Sequence, residues 1–331
     1  MITFKDLVYE RPDLEKEFRK IRDIIETFKN ASNGEEAVKS VHQYYEAMEE
    51  IDAMFELAMV RYTLNTKDEF YQKEQTFFDE ASPKIQEVGH EMNDAFLASP
   101  YRESLIKTFG SLTFDKREQS KKTFSKDIMA LLTKENQLST AYSKLTASAE
   151  ILFDGKTLNL SMMAPYMSSS DRDIRHQAQL AVSQFFKDNE AQYDKIYDDM
   201  VHVRTEIAKT LGYASFTQLA YDRLGRLDYA EKEIAIYRKQ IIEHVVPIAQ
   251  QLYGAQRKRI GVDTLYSYDV PFTFKDGPAK PKGTETELLQ AAETMYAEMS
   301  PVTKEFFSFM RDRDLLDVTA RQGKEGGGYC T

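Results

Sequence analysis

Glycine divides this chain: four of the 14 glycines fall in residues 1–211 and ten in residues 212–331. Helix interiors exclude glycine at about 1 kcal/mol and proline at about 3 kcal/mol relative to alanine. The first two-thirds therefore reads as long helices, and the last third as shorter elements with more turns. Abundant Glu, Lys, Ala, Leu and Gln support a mostly α chain.

Apolar spacing places the helices. Pro12 opens a helix to about Lys29, with Leu14, Phe18, Ile21, Ile25 and Phe28 on one face, and the run from Asn30 to Gly34 closes it. Residues 35–65 repeat the pattern through Val41, Tyr45, Met48, Ile51 and Phe55. A third helix spans 67–98, where Pro83 predicts a kink or break, and Pro100 starts a short fourth. From Asp115 to Glu150 the periodicity is clearest, a heptad-like seam through Phe124, Ile128, Leu131, Leu138, Tyr142 and Leu145.

The period then changes. Residues 151–160 read as two short strands about Asp154-Gly155. Ser168 to Asp171 caps the next helix, helices continue to Leu211, and Gly212-Tyr213 stops them. A short helix covers 215–225 and a long one 229–260, bent by Pro247. Residues 262–283 form a loop-rich stretch, followed by helices over 284–299 and 301–312.

Forty-four basic against 54 acidic residues give a formal charge of −10, a surface that repels phosphate backbones and disfavours general nucleic-acid binding. One cysteine, Cys330, excludes an intrachain disulfide framework and a Cys-cluster zinc site. No signal-peptide core and no run of about 18 apolar residues occurs, so secretion and membrane spanning are disfavoured and a cytoplasmic location is the expectation.

Chemistry is sparse. His42, His90, His176, His202 and His244 include no pair four apart, so HExxH is absent. His90 with Asp94 is an ordinary helix-surface pair and only a weak metal motif. There is no P-loop, dinucleotide loop or GxSxG. Cys330 reads as a small buried residue rather than a nucleophile. Glu135, interrupting the seam, marks either a polar cavity or a partnered acid, and the partnered acid is favoured. Arg223 and Arg226 suit a carboxylate contact, yet interhelix salt bridges are the commoner use and are preferred. The 19 tyrosines and 20 phenylalanines fall mostly on apolar stripes and read largely as core.

Two passages carry a family resemblance. One runs from Ile207 through Gly212-Tyr213 to Tyr221-Asp222-Arg223-Leu224-Gly225-Arg226-Leu227-Asp228-Tyr229. The other is the terminal Arg321-Gln322-Gly323-Lys324-Glu325-Gly326-Gly327-Gly328-Tyr329-Cys330-Thr331. Both resemble the oligoendopeptidase F group of thimet-oligopeptidase-like zinc metallopeptidases, and the likeness extends over essentially the whole chain. It implies an almost wholly helical, clam-like enzyme whose channel admits unstructured oligopeptides. It also implies zinc held by the histidines of HExxH and a later glutamate, with the HExxH glutamate activating water. In that family these elements follow the Gly-rich segment, so no catalytic residue and no metal ligand of the pattern can be assigned among these 331 residues. The segment itself implies a terminal edge strand that pairs with substrate backbone, here Gly326, Gly327, Gly328 and Tyr329.

The expected organisation is a helical N-terminal lobe over 1–210 and the start of a catalytic lobe over 211–331, truncated before its zinc site. On this reading the chain is the N-terminal part of a zinc-dependent metalloendopeptidase acting on short oligopeptides, inactive and zinc-free alone. A missing C-terminal catalytic segment would complete it. The rivals are a non-catalytic helical peptide-binding or scaffold module and one half of a split peptidase.

Overall fold

A computed structural model describes residues 2–279 and 282–331. Of the loop-rich stretch read from sequence, Lys280 and Pro281 lie outside the described residues. The chain is mostly helical: α1 Leu14–Lys29, α2 Gly34–Leu64, α3 Glu69–Ala98, α4 Arg102–Phe109, α5 Leu112–Lys121 and α6 Met129–Ala147 precede strands β1 Ile151–Phe153 and β2 Lys156–Leu158. There follow α7 Ala164–Met167, α8 Arg172–Asp188, α9 Glu190–Thr210, α10 Phe216–Arg223, α11 Glu231–Gln240, α12 Val246–Ile260, α13 Glu285–Met299 and α14 Pro301–Asp312.

The chain forms two compact units. The first comprises Met1–Glu10, Ala147–Phe186 and Gln251–Gly328, and the second Arg11–Thr146, Lys187–Gln250 and Tyr329–Thr331. The expected lobe boundary near residue 210 falls at the end of α9, within the second unit.

In the second unit, α1 to α5 share one apolar core. Phe18, Ile21, Ile25 and Phe28 on α1 meet Val41 and Ile51 of α2, Met92 and Phe96 of α3, Leu105 of α4 and Phe114 of α5. Pro12 lies ahead of α1 rather than in its first turn: Asp13 is the cap, accepting from the Lys16 N–H at 3.2 Å, and Asn33 caps α2, accepting from the Glu36 N–H at 2.9 Å. Gly34 starts α2 rather than ending α1, and the position suits glycine because a Cβ there would lie 2.0 Å from Ser104 Oγ. Pro83 does not break α3. It cannot donate to the carbonyl of Asp79, and Asn136 Nδ2 fills that place at 3.0 Å.

The periodic segment 115–150 holds two helices, α5 and α6, parted where Ser125 caps the turn that leads into α6. The seam ahead of that turn begins with Phe124, which packs with Ile128, Leu132, Val203, Ile207 and Leu219 in a second cluster. Gly212, at φ +83°, closes α9, and the Tyr213 N–H reaches back to the Ala208 carbonyl at 2.9 Å. A five-residue π segment, Ile241–Val245, joins α11 to α12 just ahead of Pro247. The ring and missing N–H of Pro247 disturb the preceding turn, so the expected bend takes this form.

In the first unit, Asp154 at φ +50° and Gly155 at φ +69° form the turn of the β1–β2 hairpin. Ile151 and Leu158 pair across it and pack with Met163 and Ala178 of α8. A buried acid organises the rest. Asp269 Oδ1 accepts from Arg175 at 3.0 Å and Oδ2 from Arg172 at 2.8 Å. Gln256 Nε2 of α12 donates to the carbonyls of Asp269, Val270 and Phe272 at 3.0–3.1 Å. Burial alone would raise the Asp269 carboxyl, but Arg172, the Tyr266 N–H and Arg175 hold it down at about 2.

More phenylalanines and tyrosines are exposed than buried, which corrects the expectation that they are largely core. Their stripes on the later helices face no covering element among the described residues, as at Tyr197, Tyr237 and Phe306.

Candidate functional site

The terminal stretch is fixed before its glycines begin. Asp317 Oδ1 accepts from Arg321 Nη1 at 2.9 Å and Lys324 Nζ at 2.6 Å, and Lys324 also reaches the Thr319 carbonyl at 3.1 Å. Arg321 and Lys324 together hold the Asp317 carboxyl at about 2. Asn159 Nδ2 donates to the Arg321 carbonyl at 2.8 Å, and Gln322 Nε2 to the Thr157 carbonyl at 3.2 Å, so the stretch docks on the hairpin. The Asp317/Arg321 spacing is visible in the sequence. Only the fold shows that Lys324 returns to the same carboxylate.

Beyond this clamp the glycine backbone lies open. Gly326, Gly327 and Gly328 are exposed, and their backbone N–H and C=O groups make no hydrogen bond among the described residues. Gly327 sits at φ +97°, which a Cβ would strain, while a Cβ at Gly326 would touch only Ser161 Oγ, at 3.5 Å. The terminal edge strand read from the sequence is not in a ladder. Among the described residues the sheet holds β1 and β2 alone, and the positive φ at Gly327 turns the backbone out of extension. Tyr329 belongs to the second unit, where its hydroxyl shares a short hydrogen bond with that of Thr63. The three glycines thus lie together in the first unit, ungripped and accessible. Such backbone leaves its N–H and C=O groups open to solvent.

In the second unit the charged candidates resolve differently. Glu135 is buried between Arg204 Nε at 2.7 Å and Arg223 Nη1 at 2.9 Å, the partnered acid and interhelix bridge that sequence favoured. Arg226 has no carboxylate among the described residues; its guanidinium stands 4.7 Å from the Tyr221 ring centroid and 5.6 Å from that of Tyr229. It borders a cavity of about 820 Å³ with Asp222, which takes hydrogen bonds from Tyr213 at 2.5 Å and Gln119 at 3.0 Å. Burial, with Asp222 alongside, pushes the Tyr213 hydroxyl upward. Acidic residues of the cavity wall outnumber basic ones six to three, which disfavours Arg226 as a carboxylate receptor.

Among the described residues no three His, Cys, Asp or Glu side chains gather as a metal would require. His90 stacks on Phe124 with centroids 4.5 Å apart, and Asp94 is paired with Lys121 at 2.8 Å. The described residues therefore do not fit a zinc centre of the HExxH kind. Cys330 is exposed, which corrects its reading as a small buried residue; no element among the described residues packs over it. No described helix is long and apolar enough to cross a membrane.

The chain matches two family models: the Peptidase M3 N-terminal domain over residues 4–124 and Peptidase family M3 over residues 165–331. Three solved structures superpose with a TM-score of 0.98. An oligoendopeptidase F from Bacillus anthracis str. Ames is 41% identical, over 100% of this chain and 61% of its own. PZ peptidase A with inhibitor 2 is 40% identical, over 99% and 58%. A second oligoendopeptidase F, from crystals grown by microfluidic seeding, is 40% identical, over 100% and 59%. The chain thus spans about three-fifths of the length of each of them. No match to a curated protein was found.

Proposed function

Because this chain belongs to peptidase family M3, of the oligoendopeptidase F kind, we propose that it is the N-terminal part of a zinc-dependent metalloendopeptidase hydrolysing short unstructured oligopeptides. The observation that carries the reading is the free, exposed backbone of Gly326–Gly328 on a rigid mount. A substrate strand would add to this edge through main-chain hydrogen bonds, which are indifferent to side-chain identity and available only to an unfolded peptide. The Asp317–Arg321–Lys324 clamp and the hairpin fix the position of that edge, and the helices form channel wall that limits substrate size.

Zinc and the general base belong, on this proposal, to residues outside these 331, in the remainder of a catalytic lobe that residues 211–331 begin. When bound, zinc supplies Lewis-acid polarisation of the scissile carbonyl and an acidic water. This chain's own part is to hold the peptide backbone still. Alone, it cleaves nothing and binds no stoichiometric zinc, and its compartment is cytoplasmic.

Amide exchange tests the edge directly. A saturating unstructured peptide slows exchange at Gly326–Gly328 and leaves α1 unchanged; unaltered exchange at the glycines sinks the reading. The intact mass of the native protein tests the rest. A mass well above 38.3 kDa supports further sequence with the metal site, and a mass at that value turns the search to a complementing polypeptide. Zinc-dependent cleavage by the pure 331-residue chain overturns the assignment of the metal to other residues.

A further inference from the structure

One cavity in the second unit has charged lining side chains of a single sign. Its volume is about 470 Å³. Helix α3 contributes Gln86, Gly89, His90 and Asn93, the i, i+3, i+4, i+7 face of one helix. Helix α5 contributes Thr113, Lys116, Arg117 and Ser120 at the same spacing, so two matching polar faces line one space. Gly89 leaves room on the α3 side; a Cβ there meets only Tyr44 Oη, at 3.6 Å.

Arg117 reaches this cavity from α5. Its guanidinium is fixed over the Phe96 ring, 4.1 Å from the centroid. Nη1 donates to Asn93 Oδ1 at 3.3 Å and Nη2 to Tyr45 Oη at 3.0 Å, both neutral acceptors. Nε is buried with no partner among the described residues. A guanidinium has five N–H donors, and these contacts occupy two. An arginine so placed normally faces a carboxylate, because a partly buried cation without a counter-charge is costly. None of the lining residues is acidic.

Neighbouring acids do not fill the role. On α3, Glu87 is engaged by Lys126 at 2.5 Å, Glu91 by Arg22 at 2.9 Å and Asp94 by Lys121 at 2.8 Å. Lys116 has no ion pair among the described residues and adds a second positive charge. In a chain of net charge −10, this is a local reversal of sign backed by hydroxyl and amide donors.

We propose that this cavity binds a small oxyanion, a phosphate or carboxylate group, between Arg117 and Lys116, with the hydroxyls of Thr113 and Ser120 as further donors. The rigid guanidinium fork supplies direction and Lys116 supplies charge. A ligand held there would bridge α3 and α5 of the second unit.

Calorimetric titration of the 331-residue chain tests this with inorganic phosphate and with citrate, each against chloride at matched ionic strength. One saturable site per chain is expected. Tighter phosphate identifies a phosphoryl ligand and tighter citrate a polycarboxylate. The exposed substitution Lys116→Glu should weaken binding at least tenfold while leaving the circular dichroism unchanged, and the His90 ring resonances should move on saturation in the parent chain only. Arg117→Gln should abolish binding, but it also loosens the Phe96 and Tyr45 contacts, so Lys116→Glu is the deciding variant. Absence of a saturable heat with both anions, or equal affinity in folded Lys116→Glu, overturns the proposal. An equal rise in melting temperature in both proteins counts the same way, since salts stabilise folded chains without a site.

Discussion

The bundle α1–α5 and the first unit are both helical, yet they are held by different forces. In the bundle, Phe18, Ile21, Ile25, Met92 and Phe96 interlock, and apolar burial does the joining. In the first unit the largest fully buried side chain is Arg175, and the apolar cluster around the hairpin is small. There one carboxylate, Asp269, ties α8 to the loop ahead of Phe272. The bundle should therefore yield gradually to truncation of its side chains, whereas the first unit should yield abruptly to loss of one charge.

The largest effects come from striking each region at its centre. Asp269→Asn leaves Arg175 buried without its counter-charge and should cost about 3–5 kcal/mol. Phe96→Ala, which removes a ring packed 4.9 Å from Phe114, should cost about 3–5 kcal/mol. Hydrogen exchange discriminates the two: the first should strip protection from residues 251–272 and the second from α1–α5. Matching loss throughout the chain in both variants would mean that the contrast is false.

Acid sharpens the contrast at lower cost. The folded Asp269 carboxyl, at about 2, lies below its ordinary value of 3.8, so its stabilisation is complete above about pH 4. That contribution, about 2 kcal/mol, is lost as the pH falls through 2. Amide exchange followed from pH 5 to pH 2 should show the first unit opening before the bundle.

How much of this was readable in advance depends on how far apart the partners lie. The α1 stripe, the Asp154-Gly155 turn and the Gly212 stop are local, because each states its geometry within a few residues. The break between α5 and α6 was hidden by continuous apolar spacing, since Phe124 keeps the rhythm while its backbone does not. Asp269 lies 97 and 94 residues from Arg172 and Arg175, and nothing in either segment names the other. The glycines of the candidate site were conspicuous, but their free backbone groups were not. A Gly run specifies freedom, and the surrounding fold decides whether a partner is provided.

Two smaller substitutions probe the surfaces. Gly89→Ala has room for its Cβ and should stabilise α3 by about 0.5–1 kcal/mol, seen as a higher urea midpoint at unchanged slope. Phe306→Ser, at a position 63% exposed, should change stability by less than about 0.5 kcal/mol while raising solubility. A large loss there would mean that α14 packs against more than its present neighbours.

Pro83 carries a last consequence. Because it leaves the Asp79 carbonyl without its helical donor, the amide of Asn136 has something to grip. The two residues are therefore bound in their history as well as in space. Asn136→Ala alone orphans a buried carbonyl, at about 1–3 kcal/mol. After Pro83→Ala the same change is nearly free, since the backbone then fills the vacancy itself. A lineage can shed the pair in one order and not in the other, so a missing hydrogen on one helix decides which mutational path across another is open.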